Sequence, residues 1–291
     1  MHKALQILRW FWDSWIGVIL LVFTILFFVG QVFLIPSGSM ISTLLIGDLV
    51  LVKKFSYGIP LPHLPWVEWQ IVPDFNGDGH LFAGERPKRG EIVVFRYPLN
   101  PKQHYVKRLV ATEGDEVIYA HNGLYLRPHE GDAYIAQHYA GDSKRTFMGK
   151  VFVYDPYFSR FPGVHYAPEN DFFQDLFYLY NNGEVAMSLH QENGEPFFYA
   201  QVGKDEFFMM GDNRNGSSDS RIWGAVPYRN IVGTPWVVGF SIDSDLRIRW
   251  NRVGKSVATL EDAMRAARAA ESGAEADSER ALIDAANELA Q

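Results

Sequence analysis

The most prominent pattern along the chain is an unbroken apolar run near its beginning. Residues 15–35 read WIGVILLVFTILFFVGQVFLI and contain no charged side chain. As a helix they would span roughly 31 Å at about 1.5 Å per residue, which matches the hydrocarbon core of a bilayer. A cleaved signal peptide is the alternative, but its apolar region is about 7–15 residues long and ends in small residues. The pattern therefore predicts one transmembrane helix over 15–35.

Positive charge flanks this run on one side only. Lys3 and Arg9 precede it, whereas residues 36–51 contain neither Lys nor Arg. Because positively charged flanks stay in the cytoplasm, residues 1–14 are predicted to be a cytoplasmic stub. The chain beyond residue 35 is then predicted to lie outside.

Beyond the apolar run, the pattern is that of short strands. Segments rich in β-branched and aromatic residues are separated by Gly, Pro and Asn, and no helical period dominates. The clearest segments are 48–53, 91–97, 116–119, 207–210 and 235–242. This predicts a mostly β fold, with a β core over 36–120 and 206–254. The aromatic-rich and turn-rich segment 121–205 predicts an inserted β subdomain.

The composition changes near residue 255. From there to residue 291 the chain is rich in Ala and Glu, with 8 acidic and 4 basic residues. Strong helix formers dominate, but few apolar residues are available for a core. This predicts an Ala/Glu-rich tail over 255–291 that is helical or disordered, and it suggests no chemistry.

Charge and cysteine content exclude several classes of protein. The formal net charge is −7 and the sequence pI is about 5.7. Because no basic stretch offsets this acidity, a nucleic-acid partner is not expected. Cysteine is absent, which excludes disulfides, cysteine zinc sites and a cysteine nucleophile.

A candidate nucleophile follows the apolar run directly. Residues 35–48 read IPSGSMISTLLIGD, in which Gly38 and the serines suit a tight, exposed turn. Ser39 lies 4 residues beyond the predicted span, so it stays within roughly 14 Å of the membrane boundary. Taken alone, a serine in such a turn is more often simply solvated.

A serine hydroxyl needs a general base, and a lysine is the candidate here. No histidine stands in a setting that marks it, and His63, His80 and His104 lie in loop-like sequence that predicts surface positions. Lysine can act as a base if burial lowers its pKa from about 10.4. If residues 104–109 form a strand, Lys107 and its neighbour Arg108 point to opposite faces. An exposed strand lysine remains the simpler interpretation on these residues alone.

Five motifs in a fixed order favour a catalytic role for Ser39 and Lys107 over the simpler interpretations. The chain resembles the bacterial type I signal peptidases in their successive conserved motifs: IPSGSM (35–40), TLLIGD (43–48), RGEIVVFRYP (89–98), YVKR (105–108) and GDNRNGSSDSRIWGAVP (211–227). The resemblance covers most of 30–254, except the middle insert and residues 59–86. It implies a signal-peptidase-type β fold and a serine endopeptidase that removes signal (leader) peptides from exported preproteins. It also implies a single-pass protein of the bacterial cytoplasmic membrane, in contact with membrane lipid, whose catalytic domain lies on the outer, periplasmic face.

The same resemblance implies roles for individual residues. Ser39 would be the nucleophile and Lys107 the general base, so that neither cofactor nor metal is needed. The Ser37 hydroxyl and the Ser39 backbone N–H would form the oxyanion hole. Ser217 would orient the Lys107 amine, and Asp219 would pair with Arg221 to hold that loop.

The resemblance also implies shallow substrate pockets, which would accept Ala at the first and third residues before the cut. Their lining would be Phe33, Ile35, Pro36, Met40, Leu44, Tyr105 and Val106. One departure from the family pattern stands near the nucleophile, since many members have Pro where this chain has Ser42.

Other interpretations remain open. A specialised leader peptidase with a narrow set of substrates would carry the same motifs, and a membrane-tethered β protein without turnover belongs to a different class. Residues 74–85, DFNGDGHLFAGE, also fit the spacing of a calcium-binding loop. Proline on both sides argues against the usual flanking helices, so an ordinary hairpin turn is favoured.

Overall fold

The computed structural model describes residues 14–24, 30–63, 70–166 and 172–270. Most of the regular structure in these ranges is β, which confirms the predicted class. The strands are β1 (Gly30–Leu34), β2 (Asp48–Lys53), β3 (Gly58–Pro60), β4 (His80–Ala83), β5 (Ile92–Tyr97), β6 (Asn100–Ala111), β7 (Glu116–Ala120), β8 (Gly123–Arg127), β9 (Lys144–Phe147), β10 (Lys150–Tyr154), β11 (Ser188–Glu192), β12 (Glu195–Gln201), β13 (Glu206–Met210), β14 (Val226–Pro227) and β15 (Ile231–Ser241). The helices are α1 (Trp15–Thr24), α2 (Asp132–His138), α3 (Pro156–Arg160), α4 (Phe172–Asn181), α5 (Ser220–Trp223) and α6 over 257–270.

The apolar run near the beginning of the chain does not form one helix. Helix α1 covers 10 residues, and strand β1 pairs antiparallel with β2, with Gly30 opposite Lys53 and Leu34 opposite Leu49. The predicted helix over 15–35 is therefore wrong at its C-terminal end. An apolar run by itself does not distinguish a helix from a strand, and here pairing with β2 decides the outcome. No helix in the described parts of the chain has the length and apolar character needed to cross a membrane. The stub predicted over 1–14 lies outside the described residues, apart from Ser14.

A seven-stranded sheet, in the order β1-β2-β15-β5-β6-β13-β14, holds the candidate residue Lys107 on β6. Its centre is built from continuous apolar runs, and residues 92–96 of β5 are all buried. Strand β6 lies between β5 and β13, with Lys107 opposite Val93 and Leu109 opposite Met209. Because side chains alternate along a strand, β6 sends Lys107 and Arg108 to opposite faces, as predicted.

A second sheet of six strands, in the order β11-β12-β7-β8-β10-β9, contains the strands of the middle segment. The prediction for 121–205 missed the helices α2, α3 and α4 in that segment. The sequence of α4, FFQDLFYLYN, is aromatic and resembles a strand in composition, but it buries Phe172, Phe173 and Leu176 along one helical face. Burial has overridden local propensity here.

The segment 154–166 connects the insert to the first sheet through a buried ion pair. Asp155 accepts a hydrogen bond from Arg214 at 2.5 Å, and both side chains are fully buried. The Tyr166 hydroxyl donates to the same carboxylate at 2.6 Å. The backbone N–H of His165 donates to the Asp212 carbonyl at 2.9 Å. The insert is thereby docked on the segment 211–221, which also holds the candidate site.

The tail is helical over 257–270, and residues 271–291 lie outside the described residues. Its first turn is not a surface feature, because Val257 and Leu260 are buried in a cluster with Ile35, Met40 and Leu44. The tail therefore contributes to the core behind the candidate nucleophile.

The segment 74–79 forms a tight turn ahead of β4. The Asp74 carboxylate accepts hydrogen bonds from the backbone N–H groups of Gly77 at 2.8 Å and Gly79 at 2.9 Å. Both glycines have a φ of +74°, which favours glycine. His80, at the end of this turn, is buried and stacks on Tyr228 with ring centroids 4.1 Å apart, so its predicted surface position is wrong.

Candidate active site

Ser39 lies in a short 3₁₀ turn, Gly38–Met40, directly after β1. The turn is closed by the Ile41 N–H, which donates to the Gly38 carbonyl at 3.0 Å. From the other side, the Asn213 N–H donates to the Ser39 carbonyl at 3.1 Å. Ser42 has a φ of +82°, a backbone conformation that proline could not take.

The Lys107 amine lies against this turn. Its Nζ donates a hydrogen bond to Ser39 Oγ at 2.5 Å, and the lysine is 4% exposed. Burial lowers the pKa of Lys107 from 10.5 to about 8, because a charged amine is poorly solvated there. The nearby carboxylates of Asp219 and Asp212 oppose this shift in pKa, and the Arg221 guanidinium reinforces it. The lowered pKa makes the neutral form of the amine easier to reach, and a neutral amine next to a serine hydroxyl is the arrangement that general-base chemistry needs.

Ser37 lies beside the nucleophile. Its Oγ is 3.5 Å from Ser39 Oγ, and its backbone is extended, with φ −131° and ψ 157°. The side chain is exposed, so it can face an incoming substrate. Its predicted place in an oxyanion hole is compatible with this position and stays a prediction.

Asp219 and Arg221 form the predicted pair. The guanidinium donates two hydrogen bonds to the carboxylate, both at 2.8 Å, and both side chains are fully buried. Although burial alone would raise the pKa of Asp219, Arg221 holds that pKa below its usual value. Asp219 also accepts from the Gly211 N–H at 3.1 Å, and Arg221 donates to the Arg214 carbonyl at 2.6 Å. The pair fixes both ends of the segment 211–221.

Ser217 is brought to the site without the predicted hydrogen bond to the amine. Its Oγ is buried and has no hydrogen-bond partner among the residues that the structure describes. Gly211 makes its position possible, since a Cβ on Gly211 would lie 2.4 Å from Ser217 Oγ and 2.5 Å from the Ser39 carbonyl oxygen. Sequence reasoning gave Gly211 no role, although the Gly-Asp pair that opens its motif was a signal for close backbone approach.

A largely apolar cavity of about 330 Å³ opens next to Ser39 and Lys107. Five of the predicted substrate-binding residues line it: Phe33, Ile35, Pro36, Tyr105 and Val106. Met40 and Leu44 do not line it, because both side chains are fully buried in the core behind the turn. They therefore do not contact substrate as predicted, and they pack instead beneath the turn that carries Ser39. His104, predicted to be a surface residue, also lines the cavity.

Asp212 is the main residue of the site that sequence reasoning missed. It is fully buried and accepts two hydrogen bonds from Arg108, both at 2.7 Å, and one from Thr43 Oγ1 at 2.6 Å. Burial alone would raise the pKa of Asp212, but Arg108 lowers it, so the carboxylate stays charged. The only signal for Asp212 in the sequence was the alternation of Lys107 and Arg108 along β6. It places Arg108 on the face opposite Lys107, where a buried arginine needs a carboxylate partner.

One group of side chains in the described residues has the spacing of metal ligands. Asp115, His129 and Glu130 place ligand atoms within 4.8 Å of one another. The Arg89 guanidinium occupies this group, donating to Asp115 at 2.5 Å and to Glu130 at 2.8 Å. The group is therefore an ion-pair network, and the site around Ser39 does not include it.

Comparison with known proteins adds the following. The family model "Signal peptidase, peptidase S26" matches residues 7–239. A signal peptidase I of Helicobacter pylori is 47% identical over 279 residues, which cover 89% of this chain and 96% of that protein. A signal peptidase I of Pseudomonas aeruginosa is 32% identical over 238 residues, which cover 78% of this chain and 71% of that protein. A crystal structure of a signal peptidase I from Enterococcus faecalis matches with 23% identity and a TM-score of 0.26, over 52% of this chain and 97% of that one.

The buried amine should leave a signature in the pH dependence of stability. Lys107 has a pKa of about 8 in the folded protein and 10.5 as its reference value, so between these values the unfolded chain binds more protons. The free energy of unfolding of the wild type should therefore rise over this window by up to about 3 kcal/mol. Lys107→Met should lack this rise and be the more stable protein near pH 7. Urea unfolding of both proteins from pH 7 to 10.5 measures the difference, and Lys204→Met, which removes an exposed charge, is the control. Parallel pH curves for wild type and Lys107→Met would contradict the buried-amine assignment.

Proposed function

The chain belongs to the signal peptidase family, peptidase S26, and from this premise we propose a specific chemistry for it. It is a serine peptidase, and the resemblance seen in the five motifs is confirmed. We propose that it removes signal peptides from exported preproteins with Ser39 as nucleophile and the neutral Lys107 amine as general base. The observation that carries this proposal is the 2.5 Å contact between Lys107 Nζ and Ser39 Oγ, two side chains that are both buried.

The proposed reaction uses side chains and backbone of this chain together with one water molecule. As Ser39 Oγ attacks the scissile carbonyl carbon, its proton passes to the neutral Lys107 amine. The negative charge on the carbonyl oxygen is stabilised by the Ser39 N–H and the Ser37 hydroxyl; one such donor contributes about 2.7–4 kcal/mol in a serine protease. The lysine then gives the proton to the leaving amine, and an acyl group remains on Ser39. Water then attacks the acyl carbon while the same amine takes its proton, and the lysine passes that proton to Ser39 Oγ as the bond between the acyl carbon and Oγ breaks.

The cavity supports the proposed substrate class. A preprotein segment in extended conformation would pair with residues 36–40 and 105–107 by backbone hydrogen bonds, which do not depend on its side chains. Discrimination then falls to the apolar cavity beside Ser39, which Ile35 and Val106 help to line. In an extended strand the first and third residues before the cut face the cavity and the second points away. We therefore propose that small residues such as Ala at these two positions define the cleavage site, as A-x-A.

The beginning of the chain supports attachment to a membrane. Trp15, Val18, Ile19 and Leu21 are exposed apolar residues on α1, and lipid would cover them. We propose that this region anchors the protein in the bacterial cytoplasmic membrane, with Lys3 and Arg9 inside and the β core on the outer face.

The dyad assignment predicts the effects of three substitutions. Ser39→Ala and Lys107→Arg should each lower cleavage of a preprotein by about 1,000-fold or more, because arginine does not lose its proton in proteins. We propose that the Ser217 hydroxyl, which has no partner among the described residues, turns to the Lys107 amine during the reaction, so Ser217→Ala should lower kcat more than it raises KM. The control is Lys204→Arg, the same change at an exposed lysine. Substantial cleavage by a folded Lys107→Arg protein would refute the lysine base.

The substrate assignment predicts a dependence on side-chain size. In a preprotein with Ala at the first and third residues before the cut, a bulky residue at the first position should nearly stop cleavage by steric exclusion. The same change at the second position should have little effect. The measurement is cleavage of several unrelated preproteins by the detergent-solubilised full-length chain. Cleavage of only one or a few of them would indicate a specialised leader peptidase, and cleavage of none would contradict the function.

The topology can be tested by protease protection. An epitope placed after residue 291 should be digested by protease added to intact spheroplasts, because the chain beyond the anchor lies outside. A cytoplasmic protein in the same spheroplasts should remain protected until lysis. An epitope that is protected before lysis and digested after it would reverse the orientation.

A further inference from the structure

Helix α6, which gave no chemical signal in the sequence, lies directly behind the candidate nucleophile. It begins with a capped turn, in which the Thr259 N–H donates to Ser256 Oγ at 3.0 Å. Its first turn buries Val257 and Leu260, 5% and 8% exposed, against the cluster that contains Met40. This packing fixes the helix on the core and sets the direction of the residues that follow.

The next residue of the helix, Glu261, contacts the interior of the site. Its Oε1 accepts a hydrogen bond from Arg108 Nη2 at 2.7 Å. The Arg108 side chain is 1% exposed and that of Glu261 is 17% exposed, so this is not an ordinary surface ion pair. The other ion pair of the same helix, Asp262 with Arg265, is 71% and 56% exposed and has no such connection.

Glu261 is one of three acceptor groups around the Arg108 guanidinium. Arg108 Nε and Nη2 hold the two oxygens of Asp212, and Nη1 donates to the Gly90 carbonyl at 2.7 Å. The second hydrogen of Nη2 goes to Glu261. Without the Glu261 carboxylate, a buried N–H of a charged group would lose its partner, and such groups are costly to leave unsatisfied. Arg108 would then be free to tilt away from Asp212 towards water.

Asp212 transmits this constraint to the nucleophile. Its carboxylate holds Thr43 Oγ1 at 2.6 Å, four residues after Ser39, and the Thr43 N–H donates to the Met40 carbonyl at 3.1 Å. The next residue along the chain, Asn213, donates its N–H to the Ser39 carbonyl. A shift of Asp212 therefore moves the turn that carries Ser39 from two sides.

We propose that Glu261 is a positioning residue of the peptidase site, which acts through Arg108, Asp212 and Thr43 to hold Ser39 against Lys107. The proposal rests on the proposed function of that dyad. The first turn of α6 would then support the peptidase site, whereas the rest of the tail is given no role in it. Glu261 touches neither the nucleophile nor the base. Its removal should therefore leave the reaction mechanism unchanged but position Ser39 less accurately against Lys107.

The test is a set of helix variants of the full-length protein, assayed on one preprotein in detergent. Glu261→Ala should lower kcat by about five- to tenfold with KM changed less than twofold, because small misplacements of reacting groups slow the chemical step. Glu261→Gln keeps an acceptor oxygen and should lose about two- to threefold in kcat. Asp262→Ala, which removes a carboxylate from the adjacent exposed position, is the matched control and should keep the wild-type rate.

A double-mutant cycle separates positioning from general stability. If Glu261 acts through Thr43, then Glu261→Ala should cost much less in kcat in a Thr43→Val background than in the wild type. Independent losses that multiply, an unchanged kcat in Glu261→Ala, or a change confined to the melting temperature would each overturn the proposal. If Ser39→Ala still cleaved, the proposed function itself would fail. If Ser39→Ala is inactive and Glu261→Ala is as active as the wild type, only the role of Glu261 fails.

Discussion

The site depends on keeping one lysine amine out of water. Each unit by which burial lowers the pKa of Lys107 corresponds to about 1.4 kcal/mol that the rest of the fold must supply. Two carboxylates, Asp219 and Asp212, lie close enough to raise that pKa again. Each of them is paired with a buried arginine, Arg221 or Arg108, which offsets part of the negative charge beside the amine. The lysine can be both buried and partly neutral because its negative neighbours already have positive partners.

This constraint explains why distant parts of the chain converge behind Ser39. Strand β6 supplies the amine on one face and the Arg108 guanidinium on the other. The segment 211–221 supplies both carboxylates, and it is held from outside by the buried pair of Asp155 and Arg214. The C-terminal helix adds Glu261 to the same network. The proposed pair of Ser39 and Lys107 is thus supported by charge pairs drawn from the sheet, the insert and the tail.

The sequence predicted what depends on local pattern and on motifs. The strands around Lys107 follow from β-branched runs, and the contact of Ser39 with Lys107 agrees with the motif order. The end of the apolar run was mispredicted, because pairing of Gly30–Leu34 with β2 cannot be recognised from composition. The motif resemblance predicts that Met40 lines a substrate pocket, whereas the side chain is buried in the core. A motif does not indicate which side chains of a turn point inwards. Glu261 could not be found, because its only signal is proximity to an arginine more than 150 positions earlier.

The central claim is that burial makes Lys107 a base near neutral pH, and a direct titration of that amine tests it. Full-length protein with ¹³C- and ¹⁵N-labelled lysine can be titrated by NMR, with the Lys107 resonance assigned by its absence in Lys107→Met. The account predicts a midpoint for Lys107 near pH 8. A midpoint near 10.5, the reference value for an unperturbed lysine, would contradict it.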